Sequence, residues 1–225
     1  MRYPVVFFDL DGTLTDPTEG ITKSVQYALA KFGIEAALDE LRPFIGPPLH
    51  HSFMSSYGFD APTARRAVEH YREYFGDHGI FENRMFDGIP GLLQRLRNRN
   101  AALCVVTSKP TVYAQRIVSH FGLEGFLDMV VGPGLDLSNT EKTVLVAEAM
   151  RRYDGYESQQ FVMIGDREHD IIGATANGIA SIGVTYGAGS RAELTAANAT
   201  HVVDTLAELE AILLDEATNA TATVA

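Results

Sequence analysis

Cysteine is nearly missing from this chain. Cys104 is the only one among 225 residues, so no internal disulfide can form. It lies in the apolar run Ala102 to Val106, where a small buried hydrophobe is expected rather than a nucleophile. Basic residues are scarce as well, 18 Lys and Arg against 29 Asp and Glu. The resulting formal charge of −11 argues against a nucleic-acid polymer or an anionic membrane as partner. Long apolar runs are also lacking. No window reaches the roughly 18 consecutive apolar residues of a spanning helix, and the N-terminus shows no basic-then-apolar leader pattern. The expectation is a cytoplasmic protein, a monomer or at most a weak dimer, for which two Asn-x-Thr matches (Asn198, Asn219) carry little weight.

What the chain does have is enough apolar material, 46%, to build one large domain or a core with a small insert. Short β-rich apolar runs recur at Val5–Phe8, Ala102–Val106, Met129–Val131, Phe161–Ile164 and Ala180–Val184, with a weaker one at His201–Val203. Helix-length stretches separate most of them, at Thr111–Phe121, Lys142–Tyr153 and Asp170–Asn177. This alternation predicts an α/β fold, a Rossmann-like parallel sheet with helices on both faces. The near-continuous hydrophobicity of the strands fits burial on both sides. The first interval breaks the rhythm. Residues 16–84 show no convincing strand, only helical patterns near Pro17–Phe32, Pro47–Tyr57 and Pro62–His78. That is too long for a loop, so a helical domain inserted after the first strand is expected. The core then comprises 1–15 and 85–215, and the sequence of 216–225, with little to bury, is expected to be disordered.

Ligands of open parallel sheets bind beyond the carboxyl ends of the strands. The first strand delivers Asp9, Asp11, Gly12 and Thr13, and the second delivers Thr107, Ser108 and Lys109. Lys142 opens the helix after the third, and the fourth gives Asp166 and then Asp170, on one helical face if that helix starts near Arg167. Four carboxylates at neighbouring strand ends repel one another and cannot all stay ionised unaided. A hard divalent cation resolves the conflict. Oxygen donors without a Cys or His cluster favour Mg²⁺ over Zn²⁺. Lys142 and the Thr107 hydroxyl then face an anion brought by the substrate, and phosphate fits. Asp9 becomes the acceptor in phosphoryl transfer, while Asp11 protonates the leaving oxygen and later activates water.

These residues resemble the haloacid dehalogenase (HAD) superfamily, in its branch of small phosphatases with a helical cap. DLDGT at Asp9–Thr13, VVTS at Val105–Ser108, Lys142, and GDREHD at Gly165–Asp170 fall in the order of its four motifs. The resemblance implies Asp9 as nucleophile and Asp11 as acid/base. It implies Mg²⁺ held by Asp9, the Asp11 carbonyl and Asp166, with Asp170 acting directly or through water, and phosphate held by Thr107 and Lys142 with help from the amides of Ser108 and Gly12. Motif three often reads Lys-Pro-x-Pro in the family, whereas this chain has EKTVLV. The family also places a substrate-specificity loop near FIGPPLHH, which makes Ile45, Gly46, Pro47 and Pro48 candidates for substrate choice. His50 and His51, adjacent and so pointing to different sides of a helix, make a poor metal pair. Tyr71, Tyr74 and Phe75 fall at helical spacing and are expected to pack the interior of the insert.

An aspartate at position 11 implies a phosphatase or phosphomutase within the family. The cap length and FENRMFDGIPGLL are similar to phosphoglycolate phosphatases and 5′-nucleotidase-like neighbours, with a small phosphorylated metabolite as partner. The alternatives are a phosphomutase of the β-phosphoglucomutase type and, in another class, a receiver-like signalling domain whose aspartate is phosphorylated without turnover.

Overall fold

A computed structural model describes residues 1–136 and 141–214. The tail expected over 216–225 lies outside the described residues. The chain opens with β1 (Val5–Phe8), then the two-residue β2 (Thr15–Asp16) and α1 (Thr18–Ala30). A 3₁₀ segment at Leu38–Phe44 precedes α2 (Leu49–Tyr57) and α3 (Ala61–Tyr74), and a π-helical turn spans Phe75–Gly79. After β3 (Arg84–Met85) come α4 (Ile89–Asn98), β4 (Ala102–Val106), α5 (Thr111–His120), β5 (Met129–Val131) and α6 (Lys142–Met150). The described chain ends with β6 (Phe161–Gly165), α7 (Glu168–Ala176), β7 (Ala180–Val184), α8 (Arg191–Ala196), β8 (His201–Val203) and α9 (Leu206–Leu214).

The main sheet has the order β5-β4-β1-β6-β7-β8 and is parallel throughout, as the alternating pattern predicts. β1 is central, with Phe8 registered against Val105 on one side and Ile164 on the other. Its side chains alternate between two buried layers. Val6 and Phe8 join the larger one with Leu103, Val105 and Ile164, while Val5 and Phe7 join Cys104, Phe161 and Met163 on the opposite face. Burial on both faces is why the strands read as unbroken apolar runs rather than alternating ones. Cys104 is fully buried, as expected.

Two expectations need correction. The stretch between Asp16 and Arg84 was expected to lack strand, yet β2 and β3 pair antiparallel across its two ends, Thr15 with Met85 and Asp16 with Arg84. Two-residue strands carry no periodicity, so the pattern could not show them. The helix of GDREHD starts at Glu168 with Arg167 as its N-cap, so Asp166 sits before the helix rather than on its face. The helices between β2 and β3 have their own aromatic interior. Phe44 packs edge-on to Phe53 at 5.0 Å, and Phe32 lies 5.0 Å from Phe59.

Candidate active site

The chain order changes direction at β1: β4 lies on one side and β6 on the other. Crevices form at such switch points, beyond the carboxyl ends of the strands. Asp9 leaves β1 there, its amide bonded to the Ile164 carbonyl at 2.8 Å. Asp166 leaves β6 beside it, and Asp170 turns back from the first turn of α7. One carboxylate oxygen from each of Asp9, Asp166 and Asp170 lies within 4.8 Å of the others, and all three residues are buried. Lys142, at the first position of α6, places its Nζ 2.9 Å from Asp9 Oδ1, 2.7 Å from Asp170 Oδ1 and 3.0 Å from the Val106 carbonyl. Asp11 lies apart from the acid triad, with Oδ2 2.8 Å from Lys109 Nζ.

Glycines make this density possible. A Cβ on Gly165 would stand 2.1 Å from Asp170 Cγ, and one on Gly12 would stand 2.2 Å from Asp166 Oδ2, at a φ of +80° that L side chains avoid. The Gly12 amide, expected at a phosphate, donates instead to the Thr15 carbonyl at 2.7 Å. Its role here is to leave room for Asp166.

Electrostatics follow from the packing. Burial pushes the Asp166 carboxyl up to about 8, and the neighbouring charges of Asp170 and Asp9 add to the effect. Burial also raises Asp170, opposed by Lys142. Burial would lower the Lys142 ammonium, but Asp170 and Asp9 together hold it above its ordinary value. Asp11 is raised by burial, against the pull of Lys109. Asp166 Oδ1 is buried with no hydrogen-bond partner among the described residues. A buried, oxygen-only triad with an orphaned carboxylate oxygen fits a hard divalent cation.

Above these groups lies a cavity of about 680 Å³. Thr107, Ser108, Lys142, Asp9, Asp11 and Asp170 line its floor, so most of the expected site residues are brought together. Gly46, Pro47 and Pro48 line it too, but the Ile45 side chain does not. Ile45 is buried in the core, and its carbonyl takes a hydrogen bond from Arg167 Nη1 at 2.7 Å. Pro110 is the N-cap of α5.

Sequence reasoning missed much of the roof. Tyr71 and Phe75, expected only as packing, line the cavity, as do Arg65, Arg72 and Tyr113. Helical spacing shows which residues share a face, but not whether that face meets a core or a cavity. Lys109 was visible at a strand end without a partner to give it a role, since Asp11 is distant in sequence.

The chain belongs to the haloacid dehalogenase-like hydrolase family, which it matches over residues 6–184. Within that family it is a phosphatase-type enzyme by its relatives. It is 50% identical over 214 residues to a 5′-nucleotidase of Pseudomonas aeruginosa, covering 95% of this chain and 96% of that one. A phosphoglycolate phosphatase of Haemophilus influenzae is 29% identical over 94% of this chain and 99% of its own. A Mycobacterium tuberculosis protein named tyrosine-protein kinase PtkA is 37% identical over 92% of this chain and 70% of its own. The crystal structure of a predicted phosphatase from Clostridium acetobutylicum superposes with a TM-score of 0.91 at 47% identity, covering 95% of this chain and 99% of that one. These relatives set aside the receiver-like alternative. Among the described residues no helix is long and apolar enough to cross a membrane.

Proposed function

We propose that the protein is a Mg²⁺-dependent phosphomonoesterase acting through an aspartyl-phosphate on Asp9, with nucleoside monophosphates as its preferred substrates. The observation that carries the reading is the buried Asp9, Asp166 and Asp170 triad, whose Asp9 and Asp170 line, with Lys142, the floor of a cavity roofed by residues 44–75. Asp9, Asp166 and Asp170 would hold the cation, which would neutralise charge on the transferring phosphoryl group. Lys142 and Thr107 bind the phosphate. An Asp9 oxygen attacks phosphorus, the phosphorus–ester oxygen bond breaks, and Asp11 gives its proton to the leaving oxygen. Asp11 then takes a proton from water. The resulting oxygen attacks the acyl phosphate, the phosphorus–Asp9 bond breaks, and inorganic phosphate leaves.

The size of the cavity supports the substrate class. Sites for small organic ligands run from about 300 to 1,000 Å³, and a molecule as small as phosphoglycolate would leave most of 680 Å³ unfilled. Phe44, Tyr71, Phe75 and Tyr113 offer aromatic surface to a base. Arg65 and Arg72 approach from α3.

The test is phosphate release from nucleoside monophosphates, phosphoglycolate and sugar phosphates, with Mg²⁺ or with excess chelator and no nucleoside triphosphate present. The expected result is Mg²⁺-dependent release with nucleotides leading in kcat/KM. Preference for phosphoglycolate would overturn the substrate class. Isomerised sugar phosphate without net release would establish the mutase, and undiminished release in chelator would remove the cation. In a parallel assay with a nucleoside triphosphate and a tyrosine-containing protein added, phosphorylation of tyrosine without ester hydrolysis would replace the phosphatase reading by a kinase one.

A further inference from the structure

Lys109 is 9% exposed, an unusual setting for a lysine, and neither the acid triad nor the phosphate contacts proposed above use it. Its amide donates to Thr107 Oγ1 at 3.2 Å, which anchors the turn beneath it. Its Nζ lies 2.8 Å from Asp11 Oδ2 and 4.4 Å from the centroid of the Phe75 ring. Phe75 opens the π-helical turn between α3 and β3 and stacks on Tyr71 at 5.2 Å. Lys109 therefore stands between the strand-end carboxylate and an aromatic residue of the helical insert. Asp11 lines the cavity, and its second oxygen, Oδ1, is buried without a hydrogen-bond partner among the described residues. One oxygen of the carboxylate is pinned by Lys109, and the other is buried and takes no hydrogen bond among the described residues.

We propose that Lys109 is a positioning residue for Asp11, and that Phe75 holds Lys109 in place so that seating of the insert is relayed to the acid/base group. The proposal rests on the acid/base role assigned to Asp11 above. A proton donor must lie within hydrogen-bond reach of the leaving oxygen. An aspartate has two side-chain torsions to fix, and a charge-assisted bond to one oxygen restricts both. The face of Phe75 attracts the ammonium and shields it from water, which strengthens its hold on Asp11. If the insert moves away, Phe75 goes with it, and Lys109 becomes free to hydrate and release the carboxylate. Proton donation is then available only when a substrate is enclosed.

The test uses p-nitrophenyl phosphate and phenyl phosphate, alike in size but different in how much their leaving oxygen needs a proton. Steady-state kcat/KM reports the step in which that oxygen departs. Asp11→Asn should lose more on phenyl phosphate than on the nitrophenyl ester. Lys109→Met should show the same bias, an extra loss of about tenfold on phenyl phosphate, within the range of general acid catalysis. Lys109→Arg should recover most of it, and Phe75→Leu should show a smaller bias of the same sign. In an Asp11→Asn background, Lys109→Met should add no further bias. Equal losses of Lys109→Met on both esters, failure of Lys109→Arg to recover the bias, or a bias that persists without Asp11 would each overturn the positioning role. An unbiased Phe75→Leu would overturn the relay. An unbiased Asp11→Asn would instead sink the acid/base reading itself, so the two failures are separable. Melting by circular dichroism checks folding, and if Lys109→Met does not fold, Lys109→Gln replaces it, with the bias expected and equal losses on both esters overturning the positioning role.

Discussion

Arg167 reaches from the N-cap of α7 to the carbonyl of Ile45, with Nη1 2.7 Å from that oxygen, while its Nε is held 2.8 Å from Glu193 Oε1. The same arginine packs against Gly46, where a Cβ would stand 3.0 Å from Nη1. The loop carrying Gly46, Pro47 and Pro48 is thus tied to the segment between Asp166 and Asp170. A charge-assisted hydrogen bond of this kind contributes about 1.5–3 kcal/mol. Its effect falls on recognition if this loop closes over substrate, as lids do.

Arg167→Ala should therefore lower kcat/KM for a nucleoside monophosphate by about tenfold or more, the range a lost charge-assisted hydrogen bond allows. Hydrolysis of p-nitrophenyl phosphate should fall far less. Parallel steady-state kinetics on the two substrates check this. Equal losses would assign Arg167 to the floor of the site instead.

Asp9→Asn should cut phosphate release by about a thousandfold or more, the scale seen when a nucleophile is removed. The fold should survive. Lys142 keeps its 2.7 Å contact with Asp170, and the repulsion that Asp9 adds to burial in raising Asp166 and Asp170 is gone. Metal-free melting should accordingly be no lower than wild type. Retained turnover would move the nucleophile elsewhere.

The metal-free protein should lose stability as pH rises. Asp166 is raised in the folded state from 3.8 to about 8, and Asp170 is raised as well. Between those values the folded state binds more protons than the unfolded one, so the free energy of unfolding falls with pH across that window. A bound cation takes the place of those protons and binds better as they leave. Melting curves from about pH 5 to about pH 8, with Mg²⁺ and with chelator, should show the gain from Mg²⁺ widening with pH. A constant gain would mean these carboxylates do not hold the ion.

Gly165→Ala should destabilise by roughly 1–3 kcal/mol, the usual cost of overfilling a packed site. The added carbon meets Asp170 Cγ at 2.1 Å, so it must displace a proposed cation ligand. Gly12→Ala adds backbone strain to its clash with Asp166 and should cost more. Thermal melts with Mg²⁺ titration report both. A variant with unchanged stability and unchanged Mg²⁺ requirement would show that the strand ends are less crowded than the structure has them.

The sheet and the residues gathered at its strand ends were legible in one dimension because both depend on short local patterns. A strand buried on both faces must be an unbroken apolar run, and Val5–Phe8, Ala102–Val106 and Phe161–Gly165 are. Parallel order brings the residues after such runs to one edge, which is why Asp9, Thr107 and Asp166 could be grouped from their positions alone. What the chain did not disclose is pairwise and distant. Lys109 meets Asp11, Arg167 meets Ile45, and Phe75 covers Lys109, each across a gap that no periodicity spans. Tyr71 and Phe75 share the spacing of core residues, and only the packing of the insert over β1 and β6 gives that face a cavity. The family resemblance implied a phosphate at the Gly12 amide, and in the folded chain that amide donates to the Thr15 carbonyl. Sequence sets which groups arrive at the strand ends, since burial fixes the strands. Tertiary structure decides which oxygen each cation holds and what closes above them, since those contacts are settled by packing between distant segments.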